Sequence, residues 1–189
     1  MQFNQAPRYL ERLVWITGLS ASGKTTVADI LGDQLTNHKF KVLRLDGDQL
    51  RDAMKNSETM SKYDAESRLK NALTYSSLAK SLISQFDYVI VSTISMFSEV
   101  YITNRKTFKN YFEVYLNVPY AERSTRDPKG LYRSFGAKTT SRFFGECAKV
   151  DIPTEAHFTH IHDPKVNASH VAHLIQAHSQ QHFDKFASG

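Results

Sequence analysis

A glycine-rich segment near the amino terminus constrains the fold of this chain more than any other feature. Residues 18–25 read Gly-Leu-Ser-Ala-Ser-Gly-Lys-Thr and match the pattern G-x-x-x-x-G-K-S/T. An apolar run at residues 13–17 precedes this pattern, and an amphipathic stretch at residues 24–36 follows it. The order predicts a strand, a phosphate-binding loop (P-loop) and a helix, because a glycine-rich backbone and a helix N-terminus both direct N–H groups at an anion.

Short apolar runs alternate with longer amphipathic stretches along the rest of the chain. Further strands are predicted at residues 41–45, 88–92 and 112–117. Further helices are predicted at residues 64–84, 98–108, 120–126 and 167–186. The near-continuous apolar character of the strands is typical of a parallel sheet covered on both faces. We expect one α/β domain over residues 1–189, a P-loop NTPase fold whose mainly parallel sheet is flanked by helices on both sides.

The segment at residues 127–162 lacks this alternation. It carries five residues that favour turns, namely Pro128, Gly130, Gly136, Gly145 and Pro153. A stretch of this length without secondary structure inside a compact domain is usually functional. We therefore predict a mobile lid at residues 127–162.

The charge of the chain narrows the class of ligand. Lys and Arg number 24 against 19 Asp and Glu, a formal charge of +5, and the excess is concentrated at residues 121–150. A local basic segment suits a polyphosphate better than a nucleic-acid duplex. The apolar runs are far shorter than the roughly 20 residues of a membrane span, and Cys147 is the single cysteine. We expect small-molecule partners, neither nucleic acid nor membrane, and a cytoplasmic location.

Kinases, GTPase-type switches and hydrolysis motors all carry a P-loop. A guanine-specific switch normally has an Asn-Lys-x-Asp element after a later strand, and no such tetrapeptide occurs here. A motor usually needs further domains or a ring, whereas one core and one lid account for this chain. We therefore predict a kinase, with Lys24 at the β- and γ-phosphates of ATP and the Thr25 hydroxyl on Mg²⁺.

A second constellation occupies residues 45–51, which read Leu-Asp-Gly-Asp-Gln-Leu-Arg. It lies where the second predicted strand ends and a helix begins. The carboxyl ends of strands face the ligand crevice in open α/β sheets. Asp46 and Asp48 are thus candidates to orient magnesium and to accept a proton from an attacking hydroxyl. Arg51 is a candidate to hold an anionic group of the substrate.

The chain resembles the adenylylsulfate kinases, P-loop enzymes that phosphorylate the ribose 3′-hydroxyl of adenosine 5′-phosphosulfate. The matching motifs follow one another in order at residues 18–26, 45–51, 91–97, 126–132 and 150–156. The resemblance implies ATP and Mg²⁺ as cofactors, and it allows a homodimer, although the sequence does not determine the oligomeric state.

The same resemblance implies roles for single residues. Those expected to bind ATP are Gly18, Ser20, Ser22, Gly23, Lys24, Thr25, Thr26 and Arg126. Those expected at the acceptor nucleotide are Arg51, Tyr63, Arg68, Asn71 and Lys129, with Tyr63 stacked on the base. The expected catalytic residues are Lys24, Asp46, Asp48 and Ser95, with Thr25 and Asp46 at the metal. Spacing alone does not decide which aspartate is the base.

Several departures from the family pattern fall in the acceptor region. Leu73 and Thr74 occupy positions where family members carry two arginines, and Met96 replaces a proline. Residues 55–63 and 135–147 also differ from the corresponding family segments. We predict an adenylylsulfate kinase-like enzyme, and the alternative is an enzyme of the same kind that acts on another nucleotide. One example is cytidine diphosphoramidate, which a related kinase of bacterial surface-polysaccharide modification uses. A non-catalytic nucleotide sensor is a third hypothesis.

Overall fold

The described part of the chain is organised around a parallel sheet of five strands. The computed structural model describes residues 9–54, 65–126 and 150–187, without the side chains of residues 186 and 187. The strands are β1 (Arg12–Thr17), β2 (Val42–Asp46), β3 (Tyr88–Ser92), β4 (Asn110–Asn117) and β5 (Phe158–Ile161). They lie in the order β2-β3-β1-β4-β5, and every neighbouring pair is parallel. The carboxyl ends of all the strands therefore meet at one edge of the sheet.

Helices cover both faces of this sheet. They are α1 (Lys24–Asn37), α2 (Gly47–Ala53), α3 (Ala65–Leu82), α4 (Ser98–Thr107), α5 (Tyr120–Arg126) and α6 (Ala168–Ala187). A 3-10 turn, Ile83–Gln85, extends α3. Among the described residues, no helix is long and apolar enough to cross a bilayer.

Strand β1 shows why the sheet needs cover on both sides. Val14 and Ile16 are fully buried in one core cluster, which also contains residues of α1 and α6. Leu13 and Trp15 are fully buried in a second cluster, on the face covered by α3 and α4. Successive side chains of a strand point to opposite faces, so a strand buried on both faces must be apolar at every position.

The predicted fold class is confirmed, and the predicted elements agree with the observed ones to within a few residues at their ends. The predicted lid is too long at its carboxyl end. Residues 158–161 form β5, which pairs with β4 from Val114 opposite Phe158. This edge strand has four residues, and its last apolar side chain, Ile161, is 73% exposed. So short a pattern gives no clear period in the sequence.

The stretch before β5 is also attached to the core. The Asp151 carboxylate accepts a hydrogen bond from the Ser98 backbone N–H at the start of α4 (2.8 Å). Glu155 forms an ion pair with Arg105 of α4. The described end of the predicted lid is thus fixed to α4, and residues 127–149 lie outside the described residues, so a lid there stays a prediction.

Candidate active site

The loop between β1 and α1 has the backbone that its glycines predict. Gly18 has a φ of 154°, and a Cβ there would lie 2.7 Å from the Leu116 carbonyl oxygen and 2.8 Å from Ser22 Oγ. Gly23 has a φ of 90° and caps α1 in the left-handed region. Side chains at either position would be strained, because L-residues rarely adopt these conformations. The loop therefore closes tightly before the positive end of the helix dipole.

Lys24 lies along this loop. Its ammonium group donates a hydrogen bond to the Leu19 carbonyl oxygen (2.9 Å) and lies 3.5 Å from Ser22 Oγ. Ser22 is buried, Ser20 is half-buried, and Thr26 is exposed on the first turn of α1. The loop thus gathers N–H groups, hydroxyls and one cation around a single concave backbone, which suits phosphate oxygens.

The carboxylate of Asp46 connects the loop to the second constellation. Asp46 ends β2 and caps α2, where its Oδ1 accepts from the N–H groups of Asp48 (2.9 Å) and Gln49 (3.2 Å). Its Oδ2 accepts from Thr25 Oγ1 (2.7 Å) and from Ser92 Oγ (2.9 Å). Ser92 is the partner of Asp46 in the β2–β3 register. The Asp46 carboxylate is therefore hydrogen-bonded to the P-loop, to the end of β3 and to the backbone that carries Asp48. We call residues 46–48 the Asp46–Asp48 turn.

The side-chain oxygens of Thr25 and Asp46 are suitable ligands for a magnesium ion. Thr25 supplies a hydroxyl and Asp46 a carboxylate, both hard oxygen ligands of the kind that Mg²⁺ prefers. A cavity of about 230 Å³ opens beside Thr25, Asp46 and Ser92. Mg²⁺ is usually held by one or two protein oxygens and by substrate phosphates, and Thr25 and Asp46 could supply such oxygens here.

Asp48 and Arg51 form an ion pair on α2, one helical turn apart. The side chain of Asp48 is 42% exposed and that of Arg51 is 31% exposed. The carboxylate of Asp46, the other predicted candidate for the base, accepts hydrogen bonds from four donors.

Helix α3 carries three polar side chains at helical spacing, and one of them, Tyr75, contacts this turn. Arg68 is half-buried, and Asn71 is 5% exposed, with an Oδ1 that has no hydrogen-bond partner among the described residues. Tyr75, one turn further, donates from its hydroxyl to the Gly47 carbonyl oxygen (3.2 Å). Burial raises the pKa of Tyr75, and Arg51 opposes this rise, so the hydroxyl stays a donor at neutral pH.

Neighbouring positions on α3 are neutral. Leu73, at the first of the two positions where arginines were expected, packs against the second core cluster. The Thr74 hydroxyl, at the other, donates to the Lys70 carbonyl oxygen within the helix (2.8 Å). The structure therefore places no cation at these two positions.

Ser95 contacts Thr93, which packs against the Asp46–Asp48 turn. It is buried, has a φ of 22°, and its Oγ is 2.8 Å from Thr93 Oγ1. Thr93 in turn lies against Gly47, where a Cβ would be 2.7 Å from Thr93 Oγ1. Ser95 thus reaches the Asp46–Asp48 turn through Thr93, and its catalytic role stays a prediction.

Arg126, the last residue of α5, reaches the P-loop. Its Nη1 lies 4.0 Å from the position that a Cβ on Gly23 would take, and its Nη2 is 3.4 Å from His162 Nδ1. This position agrees with the predicted role in ATP binding. The two remaining predicted site residues, Tyr63 and Lys129, lie outside the described residues.

Three residues of this site were missed in the sequence. Ser92, Thr93 and Tyr75 contact the Asp46–Asp48 turn. Ser92 and Thr93 lie in the motif at residues 91–97, but no role was predicted for them, and Tyr75 lies in no predicted motif. For Tyr75 a signal existed, because it follows Asn71 by four residues and Arg68 by seven, so all three share one helix face.

Comparison with known proteins agrees with this geometry. The sequence model of the adenylylsulphate kinase family matches residues 11–160. The chain belongs to the adenylylsulphate kinase family. The predicted enzyme class, a P-loop kinase that acts on a nucleotide acceptor, is thereby confirmed.

Individual relatives carry two different names. The cytidine diphosphoramidate kinase of Campylobacter jejuni is 39% identical over 141 residues, 75% of this chain and 81% of that protein. The adenylyl-sulfate kinase of Pseudomonas aeruginosa is 34% identical over 149 residues, 78% of this chain and 74% of that protein. The Mycobacterium tuberculosis APS kinase, solved in complex with AMPPNP and APS, superposes with a TM-score of 0.79. It is 26% identical, and the match covers 93% of this chain and 99% of that one.

Proposed function

We propose that this protein transfers the γ-phosphoryl group of ATP to a ribose hydroxyl of a nucleotide acceptor. The observation that carries the proposal is the shared carboxylate of Asp46. It accepts from Thr25 of the P-loop and from the backbone of Asp48 on the opposite wall. A donor phosphate held by the loop and an acceptor hydroxyl beside Asp48 would therefore meet at the carboxyl ends of β1 and β2.

On the donor side, Lys24 and Arg126 supply positive charge close to the glycine-rich backbone. These groups stabilise the charge that spreads over the transferring phosphoryl oxygens. Mg²⁺, which Thr25 and Asp46 would hold, neutralises charge on the β- and γ-phosphate oxygens when it is bound. The family's use of ATP and the oxygen donors at this position support both cofactors.

On the acceptor side, Asp48 is the proposed general base. The side chain of Asp48 is 42% exposed, and Arg51 orients it from the next turn of α2. A base must lie within hydrogen-bond reach of the attacking hydroxyl, and the four donors around Asp46 favour a positioning and metal-binding role for that residue.

For the acceptor we propose cytidine diphosphoramidate, by analogy with the 39% identical relative of that name. Both acceptors end in an anionic group, and the terminal sulfate of adenosine 5′-phosphosulfate offers only hydrogen-bond acceptors, for which Leu73 and Thr74 supply no cation. A terminal phosphoramidate also offers N–H donors. The buried Oδ1 of Asn71 is an acceptor with no partner among the described residues, and it suits such a group.

Adenosine 5′-phosphosulfate is the second candidate acceptor. The family match and the likeness to a structure solved with APS favour it, as does the presence of Arg51 and Arg68 beside the turn. We also propose a cytoplasmic location, as expected for a chain with the single cysteine Cys147.

The proposal is tested with the purified full chain, Mg-ATP and a panel of acceptors. Cytidine diphosphoramidate, adenosine 5′-phosphosulfate, CDP and UDP are each supplied, and ADP release is followed in a coupled assay. We expect cytidine diphosphoramidate to give the highest kcat/KM. A higher kcat/KM for adenosine 5′-phosphosulfate would reverse the order of the two acceptors. ADP release that no nucleotide stimulates would refute the proposed function.

A further inference from the structure

The Asp46–Asp48 turn receives a hydrogen bond from a distant part of the chain. The Tyr75 hydroxyl, on α3, donates to the Gly47 carbonyl oxygen at 3.2 Å across 28 residues of sequence. Tyr75 is 4% exposed, so water does not compete freely for this bond. The carbonyl belongs to the residue between the two aspartates, and its position helps to set where the Asp48 carboxylate lies.

The Cα of Gly47 has no room for a side chain. A Cβ on Gly47 would lie 2.7 Å from Thr93 Oγ1 and 2.9 Å from Thr93 Cβ. Thr93 follows β3 directly and is buried. Gly47 is therefore held between a packing contact with Thr93 and the hydroxyl of Tyr75.

Helix α3 carries the acceptor side of the site as well. Asn71 and Arg68 precede Tyr75 by one and two turns and share its face of the helix. One rigid helix therefore carries both the residues expected to bind the acceptor and the hydroxyl that binds the turn. A shift of α3 would move both together.

We propose that Tyr75 is a positioning residue for phosphoryl transfer, which fixes Asp48 relative to an acceptor seated on α3. This inference rests on the proposed function, since it needs Asp48 to act on an acceptor hydroxyl. Tyr75 does not itself exchange a proton with the substrate, because its hydroxyl donates to a backbone carbonyl. Its effect on the reaction passes through the Gly47 peptide.

Tyr75→Phe tests the proposal because it removes the hydroxyl and keeps the ring in the second core cluster. Tyr88→Phe is the matched control. Tyr88 is 1% exposed, and its hydroxyl accepts from Arg12 Nη1 (2.8 Å) at the amino end of β3, away from the site. Both variants lose one buried hydroxyl. The bond lost in Tyr88→Phe is to a charged guanidinium, so we expect its melting temperature to fall at least as far as that of Tyr75→Phe.

Steady-state kinetics separate positioning from stability. We expect kcat of Tyr75→Phe to fall by roughly two- to tenfold, the range of one neutral hydrogen bond. Its KM for ATP should stay within about twofold of wild type, because the P-loop contacts are unchanged. Tyr88→Phe should keep the wild-type kcat. An unchanged kcat in Tyr75→Phe, or an equal fall in both variants, would overturn the proposal.

A second readout separates this inference from the proposed function. If the wild-type chain phosphorylates none of the nucleotides, the proposed acceptor chemistry fails. The positioning role of Tyr75 is then tested by the rate of slow ATP hydrolysis, in which water takes the place of the acceptor. Tyr75→Phe should reduce that rate by the same factor relative to Tyr88→Phe. Equal hydrolysis rates, or a wild-type chain with no turnover of either kind, would overturn the positioning role.

Discussion

Replacement of Gly47 by alanine tests whether the Asp46–Asp48 turn is tightly packed against Thr93. The new Cβ would lie 2.7 Å from Thr93 Oγ1, whereas ordinary contacts begin near 3.4 Å. Thr93 is buried and adjoins β3, so it cannot turn away freely. Overpacking of this kind costs about 1–3 kcal/mol. For a chain of this size, that free energy lowers the melting temperature by roughly 2–12 °C.

The same change should impair catalysis, because relief of the overlap moves the peptide that carries Asp48. We expect kcat to fall at least about tenfold, since displacements near 1 Å of reacting groups have effects of this order or larger. Differential scanning fluorimetry gives the melting temperature, and a coupled ADP assay gives kcat. A Gly47→Ala variant with the melting temperature and kcat of wild type would refute this account of the turn.

Gly32→Ala provides a matched control within the same chain. A Cβ at Gly32 would also meet an atom at 2.7 Å, but that atom is Cδ of Arg44, whose side chain is 45% exposed and can move. We expect a melting temperature within about 2 °C of wild type, because alanine favours the interior of α1 by up to about 1 kcal/mol. The double variant Gly47→Ala/Thr93→Gly should be less destabilised than the sum of the two single variants, since both Thr93 atoms that the new Cβ would meet are gone.

Three further predictions concern charge. Lys24→Ala should lower kcat by about 100- to 1000-fold and leave the melting temperature unchanged, because it removes charge from the transferring phosphoryl group; near-normal turnover in the folded variant would contradict its P-loop role. Asp48→Asn should lower kcat far more than it changes the KM for ATP, and the reverse pattern in the same kinetic assay would remove Asp48 from the role of base. Burial, with smaller effects of His182 and Arg105, lowers the pKa of His157 to about 4. The unfolded chain therefore binds more protons between about pH 6.5 and 4, and the melting temperature should fall as pH drops through that range. His157→Gln should flatten this dependence in thermal melts at stepped pH, and an unchanged slope would exclude His157 as its source.

The fold could be predicted because its main elements are long or strongly patterned. Strand β1 is apolar at every position from Leu13 to Ile16, and the P-loop pattern fixes both the end of this strand and the start of α1. Strand β5 could not be found in the same way. Its four residues alternate between half-buried and exposed at the sheet edge, and β4 holds them in place through pairing, a tertiary effect that short sequence windows do not contain.

The residues of the site also form two groups, those that local motifs identify and those that only the fold brings together. Lys24, Thr25 and Asp46 belong to local motifs, and the structure brings them together as expected. Ser92 and Tyr75 contribute through contacts across 46 and 28 residues, which depend on the strand register and on the docking of α3. Helical spacing places Tyr75 on the same face as Asn71 and Arg68, but only the fold shows that its hydroxyl binds the Gly47 carbonyl oxygen. For Ser92, only the strand register brings its hydroxyl to Asp46.

The most direct test of the central claim is the position of the transferred phosphoryl group. The chain is incubated with Mg-ATP labelled in the γ-phosphoryl group and with each acceptor, and the products are examined by mass spectrometry and ³¹P NMR. The account predicts a labelled phosphomonoester coupled to a ribose proton of the acceptor. Label found only in inorganic phosphate, or attached to a terminal phosphate of the acceptor, would contradict phosphorylation of a hydroxyl at Asp48.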